Sequence, residues 1–389
     1  MATWFRRIGC EFVILSTLTV SWAPGSATAA DPADGDVTDV RIIDELPPDG
    51  PYERIWQPFI ARWSDRRYVV SYGLQLRAKP DMGDIVCSIS NDRGETWTPP
   101  IMIFDHRVPN GTVNYAYNNS VLFKDPNQDV FWCYAMRCPQ SFPNSEDSQL
   151  CAAYSGDGGY SWHPVELVMD YHLTLITCAG IVPVTTDGKT RYLLPVHRNT
   201  KRHDPRGTRD QFVLESSDLL HWKLAGYVPQ PTDRDVFIHE GGIAEGDQPG
   251  ELKMVMRTAT YDRERVLDPP IAYSTLSRDG GRTWSTAVLE PDLPNYKAKS
   301  FYGRDATGRH LYIYSDNADR HGLLYKVRAP GGNWSESRVF FHADTRNSYP
   351  TLIEESPGQW LCVWDSSTDP EHKRTAIRFG RLNLAAGEK

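Results

Sequence analysis

Beyond its first thirty residues the chain has no long apolar run. A membrane-spanning helix needs roughly 20 consecutive apolar residues, so the sequence predicts no membrane span in the mature protein. Long stretches with the 3.6-residue periodicity of an amphipathic helix are also missing. The 29 glycines, 28 prolines and 12 tryptophans instead favour an all-β fold with many turns.

Signatures of metal and nucleic-acid binding are equally scarce. The sequence has no Cys-x-x-Cys pair and no His/Cys cluster with the spacing of a metal site, so we expect neither a metal nor another cofactor. The formal net charge is −8 and the isoelectric point is near 5.8. An acidic chain of this kind has no general affinity for nucleic acid.

The first thirty residues have the pattern of a secretory leader. Arg6 and Arg7 form a positive start, residues 12–23 are mostly apolar, and residues 27–29 read Ala-Thr-Ala, a cleavage signal. The apolar run is too short to be a membrane anchor. We therefore expect a protein that is secreted or periplasmic. Residues 31–50 are acidic and rich in Pro and Gly, which predicts a flexible lead-in that could end in a strand at residues 40–43.

Seven cysteines are present, of which Cys10 lies in the leader. An exported protein can form disulfides, and six cysteines allow 15 complete pairings. Cys133 and Cys151 lie on runs that could be neighbouring strands. Several cysteines, however, lie inside apolar runs such as residues 360–364, where a buried free thiol is an equal or better interpretation.

One octet recurs through the rest of the chain. It reads Ser-x-Asp-x-Gly-x-Thr-Trp at residues 90–97 and 277–284, and it has Ser in place of Thr at residues 155–162. A degenerate copy spans residues 215–222, and a fainter one ends at Trp334. In such a turn Asp accepts backbone N–H groups, Gly supplies a positive φ, and Trp packs into the core. We therefore expect the octet to stabilise a turn and its Asp to have a structural role instead of a chemical one.

The spacing of the octets predicts the architecture. Their tryptophans follow one another at intervals of 65, 60, 62 and 50 residues. A period near sixty with four short strands per unit is typical of a propeller blade. The roughly 350 residues after the leader would hold about six such units. We predict an all-β, six-bladed β-propeller that forms one domain over residues 51–389.

These octets resemble the Asp-boxes, or BNR repeats, of the sialidase (neuraminidase) superfamily, and the resemblance covers most of the chain. It implies a sialidase-type propeller and an exo-α-sialidase-like hydrolase that retains configuration. In such enzymes three arginines bind the substrate carboxylate, a Tyr activated by a Glu is the nucleophile, and an Asp is the acid/base. Asp-boxes also occur in propellers that hydrolyse nothing.

The resemblance assigns the central pair of residues. Glu240, in Glu-Gly-Gly-Ile, precedes a strand that carries Arg257, and Tyr349 begins a strand in Ser-Tyr-Pro-Thr-Leu. A carboxylate beside the phenol can take a proton that otherwise leaves only near pH 10. The alternatives are a structural ion pair between Glu240 and Arg257 and a packed strand tyrosine.

The remaining sialidase-like residues are less sharply marked. Arg304 is expected as one further arginine and Arg54 as another, although Trp56 stands two residues before Pro58, where the family has its arginine. Arg77 or Arg198 could serve instead. Either Asp81 or Asp84 could be the positioned acid.

Histidines suggest a second kind of chemistry. His106, His197, His203 and His239 could act as acids or bases near neutral pH, and propeller polysaccharide lyases use His and Tyr in this way. Of these, His197 is the candidate that we expect to contact substrate. The sequence thus leaves open a sialidase-like hydrolase, another enzyme of acidic polysaccharides, and a non-catalytic glycan-binding propeller. In each case we expect a glycan partner, anionic for the enzymes, and a monomer.

Overall fold

The computed structural model describes residues 35–77, 79, 81–141, 148–169, 176–177, 179–199, 209–231, 235–260, 265–368 and 374–384. The predicted leader, with Cys10, lies outside this part, as do Cys178 and His203. Every regular element in the described residues is a β-strand. Accordingly, none of these segments is a helix that could cross a membrane.

The strands of the first half are β1 (Val37–Glu45), β2 (Tyr52–Arg62), β3 (Tyr68–Leu76), β4 (Gly83–Ser90), β5 (Ile101–Phe104), β6 (Tyr115–Lys124), β7 (Phe131–Pro139), β8 (Gln149–Ser155), β9 (His163–Val165), β10 (Val168–Met169), β11 (Ile176–Thr177), β12 (Val182–Thr186) and β13 (Lys189–Asn199). Those of the second half are β14 (Arg209–Ser216), β15 (His221–Tyr227), β16 (Val236–Glu245), β17 (Leu252–Thr260), β18 (Ile271–Ser277), β19 (Val288–Pro294), β20 (Phe301–Arg304), β21 (His310–Ser315), β22 (Gly322–Arg328), β23 (Arg338–His342), β24 (Asn347–Ser356), β25 (Gln359–Ser366) and β26 (Ala376–Asn383).

Consecutive strands pair into antiparallel units that surround a central channel. The sheets β16–β19 and β20–β23 each contain four strands in chain order, whereas one pair of residues, Gly83 and Tyr117, joins the strands β2–β9 into a longer sheet. Residues of β2, β6, β12, β16, β20 and β24 line a common cavity of about 760 Å³. This arrangement is an all-β propeller. Hydrogen bonds group the strands into five sheets, so the count of six blades stays a prediction.

The N-terminal strand closes the ring. β1 pairs antiparallel with β26, with Val37 opposite Leu382, and so becomes the outer strand of the C-terminal sheet. Val37 packs with Leu382 in one hydrophobic cluster, while Ile43 packs with Phe379 in another. The flexible lead-in predicted to reach residue 50 is therefore shorter, because these apolar side chains are buried against the last sheet. The strand expected at residues 40–43 lies within β1.

The octets form the turns that their sequence predicts. In the copy at residues 277–284, Ser277 Oγ donates to Asp279 Oδ1 at 2.9 Å. The same carboxylate oxygen accepts the backbone N–H of Thr283 at 2.9 Å, and Oδ2 accepts the Thr283 hydroxyl at 2.6 Å. The Trp284 indole donates to the carbonyl of Gly281, whose φ is 87°. The Asp side chain thus accepts hydrogen bonds from backbone and hydroxyl groups of its own turn, as the sequence predicts.

The degenerate copy keeps this geometry with one residue fewer. Asp218 accepts the backbone N–H of His221 at 2.8 Å, and the His221 ring replaces the Thr hydroxyl at 2.7 Å. Leu219 stands at the glycine position with φ 67°, and the Trp222 indole donates to its carbonyl at 3.1 Å. Trp97 differs, because its indole N–H has no hydrogen-bond partner within the described residues.

Five cysteines lie in the described part, and all are buried: Cys87, Cys133, Cys138, Cys151 and Cys362. Cys133 and Cys151 occupy the neighbouring strands β7 and β8, as predicted, without forming a disulfide. Burial raises the pKa of the Cys87 thiol to about 12. Since the thiolate is the reactive form, these groups act as packing residues.

The Asp of an octet can be tested by removal. Asp279→Ala deletes the acceptor for two backbone N–H groups and two hydroxyls, so we expect a loss of about 1–2 kcal/mol in the free energy of unfolding. Urea unfolding at neutral pH measures this loss. Asp292→Ala, at an exposed position of β19 in the same sheet, is the matched control. Equal stability of the two variants would contradict a structural role for the Asp.

Candidate functional site

Four strands that line the channel share one irregularity at the same level. A register shift interrupts β2, β6, β16 and β24, and at each shift a non-glycine residue has a positive φ: Gln57 (52°), Asn119 (54°), Glu240 (51°) and Tyr349 (54°). A bulge turns a side chain away from the direction it would otherwise take. All four residues line one narrow cavity, together with Lys299. Backbone conformations of this kind cluster at functional sites.

Within this ring, one guanidinium nitrogen connects Glu240 and Tyr349. Arg257 Nη1 lies 2.8 Å from Glu240 Oε2 and donates to the Tyr349 hydroxyl at 3.4 Å. Arg257 comes from β17, the strand next to β16. All three residues are buried. A carboxylate, a phenol and a cation therefore meet in a region of low dielectric, where their mutual electrostatic effects are large.

Two further arginines approach the Tyr349 ring from loops. Arg320 lies in the turn between β21 and β22, and Arg374 lies two residues before the start of β26. Their guanidinium carbons lie 5.6 and 4.9 Å from the centre of the Tyr349 ring. Arg374 also lies 4.5 Å from the ring centre of Trp56, so it is held between two aromatic rings. Such contacts favour a buried cation.

The backbone of Arg374 is fixed on both sides. Its N–H donates to Ser367 Oγ at 2.6 Å, and its carbonyl accepts the N–H of Ile55 on β2 at 2.8 Å. The guanidinium Nε lies 4.0 Å from Asp365 Oδ1, beyond hydrogen-bond distance, and has no hydrogen-bond partner in the described structure. The side chain is positioned without being neutralised by direct hydrogen bonds.

The Asp365 side chain forms hydrogen bonds to two strands, β24 and β2. Its Oδ1 accepts the Ser348 hydroxyl at 2.5 Å, and its Oδ2 accepts the backbone N–H of Gln57 at 3.2 Å. The side chain is fully buried. One carboxylate therefore fixes both the residue before Tyr349 and the irregularity of β2, a strand that packs beside β24 and β25.

The charges around Tyr349 change its acidity. Burial by itself would raise the pKa of the Tyr349 hydroxyl, and the Glu240 carboxylate acts in the same direction. The guanidinium groups of Arg257, Arg320 and Arg374 outweigh both, so the pKa lies below the usual value of about 10. A phenol with a lowered pKa is a better nucleophile near neutral pH.

The structure brings Tyr349, Glu240 and Arg257 together, but it leaves two predicted arginines apart from them. Arg304 lies on β20, where it binds Glu245 at 3.1 Å and the carbonyl of Gly308. Arg54 contacts Glu53 at 3.2 Å. Each has a local acceptor instead of a place beside the Tyr349 ring.

The two arginines named as alternatives, Arg77 and Arg198, are not seen beside Tyr349 in the described residues. Arg77 donates to the carbonyls of Pro48 and Gly50, and the side chain of Arg198 lies outside the described residues. Arg320 and Arg374, which do approach Tyr349, were not predicted from the sequence. They lie in loops without a motif, and the only signal was Trp56 at the family's arginine position.

The two predicted acids have different surroundings. Asp84 is fully buried on β4, where it accepts the Tyr52 hydroxyl and, at 2.6 and 2.7 Å, the backbone and ring nitrogens of His106. These bonds occupy both of its oxygens and hold His106 beside it. Asp81 lies in the turn between β3 and β4, at the end of the sheet where β2 begins, and has a φ of 58°. It is the more accessible of the two.

Two histidines pack beside the carboxylate. The rings of His197 and His239 are 5.2 Å apart, and both are buried. Their ring nitrogens and a Glu240 oxygen lie within 4.8 Å of one another, close enough to hold a metal ion; Asp84, Asp105 and His106 form a second such group. Arg257, however, already binds Glu240. This adjacent positive charge disfavours a cation at the first group.

Comparison with known proteins agrees with this architecture. Residues 78–380 match the family model described as BNR repeat-like domain, whereas no curated protein matches the chain. A crystal structure of a Dyadobacter fermentans protein of unknown function is similar at 17% identity and TM-score 0.64, over 90% of this chain and all of the other.

Two sialidases have similar structures. A Hadza microbial sialidase is 18% identical with TM-score 0.66, over 90% of this chain and 68% of its own. The leech intramolecular trans-sialidase is 14% identical with TM-score 0.63, over 88% and 70%. At these identities the likeness shows the fold, a propeller of the sialidase type.

The lowered acidity of Tyr349 can be measured without a substrate. We predict that the difference in phenolate absorbance between the wild type and Tyr349→Phe shows one tyrosine ionising below pH 10. Arg374→Gln should shift that titration to higher pH, because it removes one of three stabilising cations. Arg66→Gln, at an exposed position between β2 and β3, is the control. A Tyr349 titration at or above pH 10 would contradict the electrostatic argument.

Proposed function

The chain belongs to the family described as BNR repeat-like domain, and from that premise we propose that it is a sialidase-like, retaining exo-glycoside hydrolase acting on a terminal acidic sugar of a glycan. One observation carries the proposal. Tyr349 and Glu240 share the Arg257 nitrogen, and two more guanidinium groups approach the Tyr349 ring. A phenol, its base and a cluster of cations are the groups that this chemistry requires.

The cluster supports an anionic substrate. Arginine offers a carboxylate a planar fork of two parallel donors. Arg320 is buried, yet its Nε and Nη1 have no hydrogen-bond partner in the described residues. The chain as a whole has a net charge of −8, so the arginines around the Tyr349 ring form a positive region in an otherwise acidic protein. A substrate carboxylate would supply the missing acceptors.

We assign the place of the family's first arginine to Arg374. Trp56 stands at that position on β2 and stacks on the Arg374 guanidinium at 4.5 Å. The substitution of Trp for Arg on one strand is thus accompanied by an arginine that enters from the C-terminal sheet. Arg257, Arg320 and Arg374 would then hold the carboxylate.

In the proposed reaction, the Tyr349 oxygen attacks the anomeric carbon and its proton passes to Glu240. The bond to the leaving oxygen breaks as Asp81 gives that oxygen a proton. Water, deprotonated by Asp81, then displaces the Tyr349 oxygen, which takes its proton back from Glu240. This second inversion means that configuration is retained. A phenol suits this role because the substrate's own carboxylate would repel an Asp or Glu nucleophile.

A second candidate is a lyase that removes a proton from a uronic acid. The packing of His197 and His239 beside Glu240 favours it. Their exposed fractions, however, are only 3% and 0%, and a base must reach the proton that it abstracts. The hydrolase is therefore the better supported function.

The substrate's charge is tested by removing the central arginine. Arg257→Met should abolish binding of N-acetylneuraminic acid, because truncating one partner of a buried charge interaction costs about 3–5 kcal/mol. Calorimetry measures this, with Arg66→Gln as the control. If the wild type binds a neutral analogue of the sugar as tightly as the acid, the site recognises neutral glycans instead.

The nucleophile is tested by Tyr349→Phe. We expect this variant to bind N-acetylneuraminic acid but to lose turnover of its aryl glycoside, since no oxygen remains to form the covalent intermediate. Glu240→Gln should lower kcat by about 10²–10⁴-fold through loss of the base. Separate measurement of binding and kcat distinguishes these effects from misfolding. Unchanged turnover in Tyr349→Phe would exclude the retaining mechanism.

A further inference from the structure

A second pocket, lined by four basic residues and no acidic one, adjoins the Tyr349 site. Its volume is about 390 Å³, within the range of roughly 300–1,000 Å³ typical of pockets for small molecules. The lining residues come from loops of three adjacent sheets: Arg265, Val266, Tyr296, Lys297, Ala318, Arg320 and Arg346. Four of these seven are cationic and none is acidic.

Arg320 belongs to both sites. It lines the basic pocket, and its guanidinium carbon lies 5.6 Å from the centre of the Tyr349 ring. Its Nη2 donates to the carbonyl of Lys297 at 2.6 Å, which fixes the side chain between the two cavities. Its Nε and Nη1 are buried without a hydrogen-bond partner in the described part of the chain. A buried charged group in this state requires an acceptor.

Arg346 shows the same lack of neutralisation. Burial, followed by the charges of Arg374 and Arg320, lowers its pKa to about 9, and Asp365 only partly opposes this. Its Nε also has no hydrogen-bond partner among the described residues. Arg328 and Arg381, by contrast, have carboxylate partners in Asp247 and Glu355. Two of the four cations at this pocket, Arg320 and Arg346, therefore keep buried donors without a hydrogen-bond partner in the described structure.

We propose that this pocket is a subsite for a second anionic group, a sulfate or carboxylate on the sugar next to the cleaved one. The inference rests on the proposed function and narrows its substrate to a glycan with two adjacent anionic residues. Arg320 would contact both, with the first anion on the Tyr349 side and the second beside Arg346 and Lys297. Tyr296 offers an aromatic ring on which the second sugar can pack.

Calorimetry with two matched sugars tests the subsite. We expect 3′-sialyllactose carrying one sulfate on its galactose to bind about tenfold or more tightly than 3′-sialyllactose, since charge-assisted contacts are strong. Arg346→Gln should remove this preference while leaving the affinity for the unsulfated sugar within about twofold. Arg66→Gln should leave the preference intact. Equal affinities of the wild type for both sugars would overturn the subsite.

Inorganic sulfate separates this inference from the proposed function. If the wild type binds neither sugar, the proposed function fails. The binding of inorganic sulfate then tests whether the basic pocket is an anion-binding site. We expect sulfate to bind Arg257→Met, in which the first site has lost its central arginine, and to lose about tenfold or more in affinity when Arg346→Gln is added. Absence of sulfate binding, or binding that is indifferent to Arg346, would overturn the proposal.

A stability readout distinguishes a binding role from a structural one. Because Arg346 is repelled by Arg374 and Arg320, we expect Arg346→Gln to have a Tm equal to or above that of the wild type in chloride. Sulfate should raise the Tm of the wild type more than that of the variant, since a ligand stabilises the state that it binds. A lower Tm with an unchanged sulfate effect would make Arg346 a structural residue and contradict the subsite.

Discussion

The concentration of guanidinium groups around one buried phenol is the constraint on which the site depends. Like charges at this distance repel, and the low dielectric strengthens that repulsion. The protein offsets it with aromatic faces and two carboxylates: Trp56 and Tyr349 stack on Arg374, Glu240 binds Arg257, and Asp365 lies near Arg374. The compensation is incomplete, since Arg320 keeps two unpaired donors in the described structure. An anionic ligand would complete it, which is why binding and stability are expected to be coupled here.

The sequence predicted the all-β propeller because its signal is local. Asp279 and Trp284 are bonded within a single turn, so each octet specifies its own hairpin regardless of its neighbours. The degenerate copy around Asp218 follows the same chemistry with one residue fewer, and its terminal Trp222 was enough to reveal the period. The role of β1 was only partly predictable, because a strand that closes a ring pairs with residues more than three hundred positions away.

The site was predictable only where its residues lie on strands. Glu240 and Tyr349 sit at strand positions that a motif marks, and Arg257 is on the strand beside Glu240. Arg320 and Arg374 enter from loops, where neither period nor spacing fixes a side chain's direction. Arg54 and Arg304 were expected from position alone, and each binds a nearby carboxylate, Glu53 or Glu245. Trp56 was the residue at which the pattern failed, and the structure shows Arg374 stacked against it.

The two cavities differ in their size and in the residues that line them. The wide cavity of about 760 Å³ is lined by apolar groups such as Phe59, Phe301 and Trp360. The narrow part, about 10 Å³ in volume, is surrounded by the positive-φ residues of the four irregular strands. Fixed donors and charges stabilise a developing charge best where water is excluded and no reorganisation is needed. The irregular strands create that environment by turning Gln57, Asn119, Glu240 and Tyr349 inward. Each of these residues has a strained, left-handed backbone conformation. This strain accompanies the placement of polar side chains at positions that regular strands would not provide.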